Sequence, residues 1–128
     1  MPLEIQILQN IAAPKNAPVN VKLSGSLDTA TAPELERKLA PILARPIDEI
    51  VFDLAGLKFV SSAGLRIFSM ARNQLKAKGG QVIFINMQPQ IKEVFEIIKA
   101  LPGLSIFKDI AEFDKYIAAR QRKHEESK

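Results

Sequence analysis

The chain has 128 residues, of which 47% are hydrophobic, and 18 basic against 14 acidic residues give it a formal net charge of +4. This length and composition match one domain with a single hydrophobic core. Because there is no cysteine, a disulfide framework and a thiolate metal or nucleophile site are excluded, and a reducing cytoplasm is the expected compartment. No apolar run approaches the roughly 20 residues that span a bilayer, so we expect no membrane insertion.

Two segments near the start alternate apolar and polar residues. Leu3–Leu8 and Val19–Leu23 both have the period of two that is typical of half-buried strands. Between them, the segment 10–20 contains Pro14 and Pro18, which favour a loop. The order strand, long loop, strand predicts an antiparallel hairpin.

A first helix is predicted to begin at Thr31, which supplies a cap, with Pro33 in the first turn and Glu34 at the third position. The apolar positions that follow have the i, i+4, i+7, i+8 spacing of one buried stripe, namely Leu35, Leu39, Ile42 and Leu43. Pro41 removes a backbone donor, so we expect the helix either to bend there or to end early.

The middle of the chain predicts two further strand and helix pairs. Ile50–Leu54 is nearly unbroken apolar sequence, the pattern of a central strand covered on both faces. An amphipathic helix is expected over 63–78, and the pair Gly79-Gly80 ends it. Its predicted buried face comprises Leu65, Phe68, Ala71 and Leu75. Val82–Ile85 then predicts another buried strand, and apolar residues at helical spacing after Pro89 predict a helix that closes at 101–103.

The last part of the chain predicts a short strand over 104–107 and a final helix. Asp109 is the expected cap of this helix, with Glu112 at the third position. Its buried face is predicted to include Ile110, Phe113 and Ile117. Strands that alternate with helices after an initial hairpin predict an α/β domain with a mixed, mainly parallel β-sheet and helices packed on it.

We predict a domain boundary near residue 120, with 121–128 forming a charged, flexible tail. Basic residues of this region stand beside Glu125 and Glu126, and the chain has one Tyr and no Trp. A mixed-charge tail without aromatic residues for base stacking does not favour a nucleic-acid partner.

The chain has few of the residues and motifs that catalytic sites require. His124 is the only histidine and lies in the predicted tail, so a Ser-His-Asp triad and a His-ligated metal site both lack parts. There is no phosphate-binding loop, no G-x-G-x-x-G and no G-x-S-x-G, and the acidic residues lack metal-ligand spacing. We therefore expect a protein that is not an enzyme and holds neither metal nor cofactor.

Two hydroxyls, Ser61 and Ser62, stand where a buried strand passes through a predicted loop into a helix. One interpretation is that one of them is a helix cap worth about 1 kcal/mol. The other is that an exposed hydroxyl at a helix N-terminus accepts a phosphate beside unpaired amides and a favourable dipole. Spacing alone favours the cap.

Two motifs carry a resemblance to a known family. Gly25-Ser26-Leu27-Asp28 followed by Thr31-Ala32 resembles G-E-L-D-x-x-T/N-A. The stretch from Asp53-Leu54 through Ser61-Ser62-Ala63-Gly64-Leu65 resembles D-L-S-x-V-x-F-x-D-S-S/A-G-L. With the order of elements, they make residues 3–118 similar to STAS domains, and specifically to the free-standing anti-sigma factor antagonists.

The resemblance implies a phosphorylation switch at Ser62. In that family, the serine two residues before the motif glycine is phosphorylated by a serine kinase of the histidine-kinase-like ATPase type, which doubles as the anti-sigma factor. The unphosphorylated antagonist binds the kinase and thereby releases the sigma factor, and a serine phosphatase restores that form. A phosphate adds about −1.5 to −2 charge, enough to disfavour an otherwise neutral contact.

Two departures from the family motifs bear on the site. Ser61 stands where the family has an acidic residue, so Ser61 is an alternative acceptor, although Ser62 keeps the family's distance from Gly64. Ser26 replaces the glutamate of G-E-L-D, whereas Asp28 is retained, either as a turn residue or as a carboxylate at the same surface as the serine.

The expected partner-binding surface comprises Asp28, Ser61, Ser62, Ala63, Gly64 and Arg66. Gly64 either lets a partner approach the backbone or relieves crowding at the helix start. Arg66 either contributes to this surface or belongs to an ordinary solvated helical face. The rival function is a constitutive STAS scaffold or accessory subunit, of a lipid transporter or a stress-sensing complex. A nucleotide-dependent enzyme is the weakest alternative, because no phosphate-cradling motif supports it.

Overall fold

The computed structural model describes residues 2–8, 17–100 and 109–126, with the side chains of residues 100, 125 and 126 outside the description. The elements are β1 (Leu3–Leu8), β2 (Val19–Leu27), α1 (Ala32–Leu43), β3 (Glu49–Val60), α2 (Ser62–Ala77), β4 (Gln81–Ile85), α3 (Pro89–Ala100) and α4 (Ile110–Glu126). The predicted strand over 104–107, the predicted helix end at 101–103 and most of the predicted loop over 10–20 lie outside the described residues.

The described strands form one sheet in the order β1-β2-β3-β4. β1 and β2 are antiparallel, with Ile5 opposite Leu23, whereas β2, β3 and β4 run parallel. The predicted hairpin and the mixed, mainly parallel sheet are therefore confirmed. Ile50, Phe52 and Leu54 share one face of β3 and are fully buried, whereas Val51 and Asp53 on the opposite face are only partly buried. The prediction of a strand covered on both faces is therefore confirmed for one face only.

A cluster of aromatic rings joins the sheet to two helices. Phe52 stacks on Phe84 with ring centroids 5.5 Å apart, and Phe68 of α2 meets both rings edge-on at 5.1 Å. Phe95 of α3 completes the cluster at 5.0 Å from Phe84. These offset and edge-on contacts are the arrangements that aromatic quadrupoles prefer, so they add to burial in fixing α2 and α3 on the sheet.

An early end of α1 at Pro41 and a buried position for Ile110, both predicted from the sequence, are wrong. α1 continues through Pro41 to Leu43, because Ile42 and Leu43 are buried in the core while Pro41 itself faces solvent. Ile110 was predicted on the buried face of the last helix, but it is 58% exposed. It is the first residue of α4 and precedes the turn in which Phe113 enters the core.

β3 is longer than its apolar run predicts, and its second half replaces the loop expected before the serines. Pairing with β2 continues to Val60, through two irregularities of register. Pairing with β4 ends at Asp53. Beyond that point, glutamine side chains bond the other side of β3: Gln88 donates to the carbonyl of Ala55 at 2.7 Å, and Gln90 to that of Lys58 at 3.3 Å.

The glutamine bonds continue at the end of β3 with Gln121 of α4. Its Oε1 accepts from the Val60 N–H at 2.9 Å, and its Nε2 donates to the Val60 carbonyl at 2.9 Å. Gln121 is only 3% exposed. α4 therefore continues past the predicted domain boundary at residue 120 to Glu126, and a side chain that the sequence assigns to a polar tail docks on the backbone of β3.

Contacts with α3 also hold the second half of α4. Arg120 and His124 both contact the carboxylate of Glu93. Burial raises the pKa of Glu93, but the hydrogen bonds from Arg120 and His124 outweigh it and hold this pKa below its usual value. The carboxylate is thus the form that favours the folded state.

This pKa shift predicts a pH dependence of stability. A carboxyl group whose pKa is lower in the folded than in the unfolded state stabilises the folded protein at pH values above its unfolded-state pKa. This stabilisation is lost as the pH falls through the folded-state pKa. We expect Glu93→Gln to lower the urea midpoint at neutral pH, and the difference from wild type to shrink below the ordinary glutamate pKa of about 4.3. Glu96→Gln, at an exposed position of the same helix, is the control. A difference that is constant with pH would contradict the assignment.

Candidate functional site

The C-terminal ends of β2 and β3 meet at one edge of the sheet. Leu27 pairs with Val60, and the Ser61 N–H donates to the Leu27 carbonyl at 2.9 Å. Asp28 and Ser61, which directly follow these strands, therefore stand at neighbouring positions. Such an edge, where parallel strands end and helices begin, is a common place for functional residues in α/β folds.

Asp28 organises the turn between β2 and α1. Its Oδ1 accepts from the backbone N–H groups of Ala30 and Thr31, both at 3.0 Å. Thr31 occupies the cap position of α1 but makes no side-chain cap bond; its hydroxyl donates instead to the Ser26 carbonyl at 2.8 Å. The turn interpretation of Asp28 is thus present in the structure, with the carboxylate only partly buried.

Ser61 occupies the cap position of α2, yet its hydroxyl forms no cap bond. The residue is 6% exposed, and its Oγ has no hydrogen-bond partner among the described residues. Its backbone carbonyl accepts from the Leu65 N–H at 3.0 Å, which starts the helix. A buried hydroxyl of this kind is shielded from a modifying enzyme and contributes no capping energy.

Ser62 is the first residue of α2 and is bonded twice to one carboxylate. Asp114 of α4 accepts from the Ser62 N–H at 2.8 Å through Oδ1 and from the Ser62 hydroxyl at 2.7 Å through Oδ2. The carboxylate thereby takes the place of a cap for α2, and it is favoured there by the positive end of the helix dipole. Ser62 is partly exposed, in contrast to Ser61.

The other predicted residues divide between surface and interior. Arg66 is exposed, and Ala63 is partly exposed. Gly64 is buried, and a Cβ added to it would lie 2.6 Å from Cγ of Leu27 and 3.0 Å from Cγ2 of Val60. This geometry favours the interpretation in which Gly64 relieves crowding between α2 and the strand ends.

Sequence reasoning missed two residues of this site, Asp114 and Gln121. Each meets its partner across more than 50 residues of chain. The sequence predicts Asp114 only as part of an amphipathic helix and Gln121 as the first residue of a polar tail. Asp114 lies next to Phe113, on the side of the predicted buried face. That position placed it near the sheet, but nothing in the sequence connected it with Ser62.

The residues that the structure describes offer no metal site and no membrane-spanning helix. Within them, no group of three or more His, Cys, Asp or Glu side chains could hold a metal ion. Nor does any helix in the described ranges have the length and apolarity needed to cross a membrane.

Comparison with known proteins identifies the family. The sequence pattern of the STAS domain matches residues 5–113. The chain belongs to the STAS domain family. This match includes both serines, Asp28 and the first part of α4.

Two relatives of this STAS domain are named as anti-sigma factor antagonists. It is 36% identical over 75 residues to a candidate anti-sigma factor antagonist of Bordetella bronchiseptica, BtrV, a match that covers 59% of this chain and 65% of that protein. It is 30% identical over 77 residues to an anti-sigma-B factor antagonist of Staphylococcus aureus, covering 60% of this chain and 71% of the relative. These relatives are named as regulators and not as enzymes.

Solved structures share the fold of this STAS domain. The unphosphorylated anti-sigma factor antagonist SpoIIAA matches with a TM-score of 0.61 at 21% identity, covering 73% of this chain and 83% of that one. The phosphorylated Bacillus SpoIIAA matches with a TM-score of 0.60, also at 21% identity, covering 73% and 82%. The murine anion transporter Slc26a9 matches with a TM-score of 0.57 at 13% identity, covering 81% of this chain and 19% of the transporter. At these identities the likeness concerns the fold alone.

Proposed function

We propose that this STAS domain is an anti-sigma factor antagonist that works in the cytoplasm and is switched by phosphorylation of Ser62. The partners are a serine kinase with a histidine-kinase-like ATPase fold, which doubles as the anti-sigma factor, and a serine phosphatase. The observation that carries the proposal is the position of Ser62, a partly exposed hydroxyl at the start of α2 within the family motif. The names of the Bordetella and Staphylococcus relatives support it.

The chemistry requires only a hydroxyl from this chain. The kinase supplies ATP; the Ser62 Oγ forms a bond to the terminal phosphorus while the bond from that phosphorus to the oxygen of ADP breaks. The hydroxyl proton passes to a base of the kinase. Hydrolysis by the phosphatase returns the hydroxyl and releases inorganic phosphate.

The contrast between the two serines supports the choice of acceptor. Ser61 is 6% exposed and its Oγ faces the interior, so a kinase would have to unfold the start of α2 to reach it. The Ser62 Oγ lies in a partly buried contact at the surface of the same turn. The partner surface that we propose therefore centres on Ser62 and Ala63, flanked by Asp28 and Arg66.

Phosphorylation by candidate kinases tests this proposal. Purified wild type, Ser62→Ala and Ser61→Ala are incubated with ATP and each candidate kinase, and intact and peptide masses are measured. We expect one phosphate per chain in wild type and in Ser61→Ala, and none in Ser62→Ala. Ser61→Ala is a matched control, because removing a buried hydroxyl without a partner should leave the fold intact.

Two other outcomes would overturn parts of the proposal. Phosphate lost only in Ser61→Ala would keep the switch but contradict the acceptor. No phosphate with kinases that are active on another substrate would contradict the switch itself and favour a constitutive STAS scaffold or accessory subunit.

A further inference from the structure

The hydroxyl of Ser62 is already engaged within the chain. Its single proton is donated to Oδ2 of Asp114 at 2.7 Å, and the N–H of the same residue is donated to Oδ1 at 2.8 Å. A kinase base must accept that proton during phosphoryl transfer. This proton must leave its bond to Asp114, by rotation of the hydroxyl or by movement of the carboxylate, before a kinase base accepts it.

Asp114 lies in the first half of α4, and different contacts hold the two halves of this helix. The second half of α4 is held by the bonds between Gln121 and Val60 and by the contact of Arg120 with Glu93. The first half has a different set of contacts: Asp114 bonds Ser62, while Phe113 and Ile117 are buried in the core. Asp114 is thus the charged contact that joins the first half of α4 to α2.

A phosphate on Ser62 turns the attraction between Ser62 and the Asp114 carboxylate into repulsion. With a hydroxyl at Ser62, the Asp114 carboxylate is attracted by two donors and by the N-terminal dipole of α2. With a phosphate there, about −1.5 to −2 charge faces the carboxylate directly, and the phosphate oxygens compete with it for the Ser62 N–H. Both effects displace Asp114.

We propose that Asp114 makes the first half of α4 a phosphate-sensitive clasp over Ser62, closed by the hydroxyl and loosened by the phosphate. This inference deepens the proposed function and rests on Ser62 as the modified residue. The modification then alters two surfaces together: Ser62 itself and the turns Ile110–Ile117 of α4. A partner can distinguish the two forms by contacts with α4 as well as by the charge on the serine.

Amide hydrogen exchange of the full chain tests the clasp without a kinase. Ser62→Asp places a second carboxylate against Asp114, and we expect the amides of 110–117 to exchange at least about tenfold faster than in wild type. Adding Asp114→Asn removes the repulsion and should return exchange to the wild-type rate. Ser69→Asp adds the same charge at an exposed position of α2 and should leave α4 unchanged.

The outcomes are decisive in each direction. Unchanged exchange of 110–117 in Ser62→Asp, or equally fast exchange after Asp114→Asn is added, would overturn the clasp. If Ser62→Asp unfolds the whole chain, the double variant decides: a native exchange pattern supports the clasp and an unfolded one contradicts it. Because no kinase is involved, absence of phosphorylation in the earlier experiment would refute the proposed function while leaving this charge response measurable.

Discussion

Gln121→Met is expected to lower the free energy of unfolding by about 2–6 kcal/mol. Methionine has a volume similar to that of glutamine but cannot form the two hydrogen bonds to the backbone of Val60. Val60 is fully buried. A buried backbone group left without its partner costs about 1–3 kcal/mol, and here both the N–H and the C=O lose one. Urea denaturation followed by circular dichroism measures the change.

A substitution one residue away provides the control for Gln121. Arg122 is exposed on the same helix, so Arg122→Met adds the same side chain without touching β3 and is expected to change stability by less than about 0.5 kcal/mol. Equal stabilities of the two variants would mean that the bonds to Val60 contribute nothing to folding.

Gly64→Ala is expected to lower the free energy of unfolding by about 1–3 kcal/mol, even though alanine is the better helix former. The added methyl group would lie 2.6 Å and 2.8 Å from Cγ and Cδ2 of Leu27. Leu27 is fully buried, so it cannot move aside without disturbing the core. The measurement is again the midpoint and slope of urea denaturation.

A double variant tests whether the clash is the cause. Leu27→Ala removes the atoms that the new methyl group would meet, so Gly64→Ala should cost less in that background than in wild type. The cost of the double variant is therefore expected to be smaller than the sum of the single costs. Strict additivity would contradict the clash with Leu27 as the cause of the lower stability.

The order of elements could be predicted because each signal is local. Alternation over Leu3–Leu8, the apolar run at Ile50–Leu54 and the glycine pair after α2 each act within a few residues. Where prediction failed, the deciding contact was distant. Gln121 was assigned to a polar tail, because only its partner Val60, 61 positions away, shows that it is buried. In α1, burial of the residues after Pro41 outweighed the local preference to stop.

The candidate site could be predicted only in part for the same reason. The motif around Ser62 is continuous in sequence, so both serines and Gly64 were found. The different burial of Ser61 and Ser62 follows from the direction in which α2 leaves β3, which no residue pattern encodes. Asp114, whose carboxylate accepts hydrogen bonds from Ser62, lies in α4. No residue spacing in the sequence connects it with Ser62.

The unequal lengths of β3 and β4 have a consequence for how the protein behaves at high concentration. A strand with unpaired backbone groups is a template for pairing with another copy, and from this pairing aggregation begins. Here, the side chains of Gln88 just before α3, Gln90 of α3 and Gln121 of α4 occupy part of that template beyond the end of β4. Because these side chains bond backbone groups that could otherwise pair with another copy, they oppose self-association. We therefore expect the Gln121→Met variant to aggregate more readily than its lower stability alone would explain.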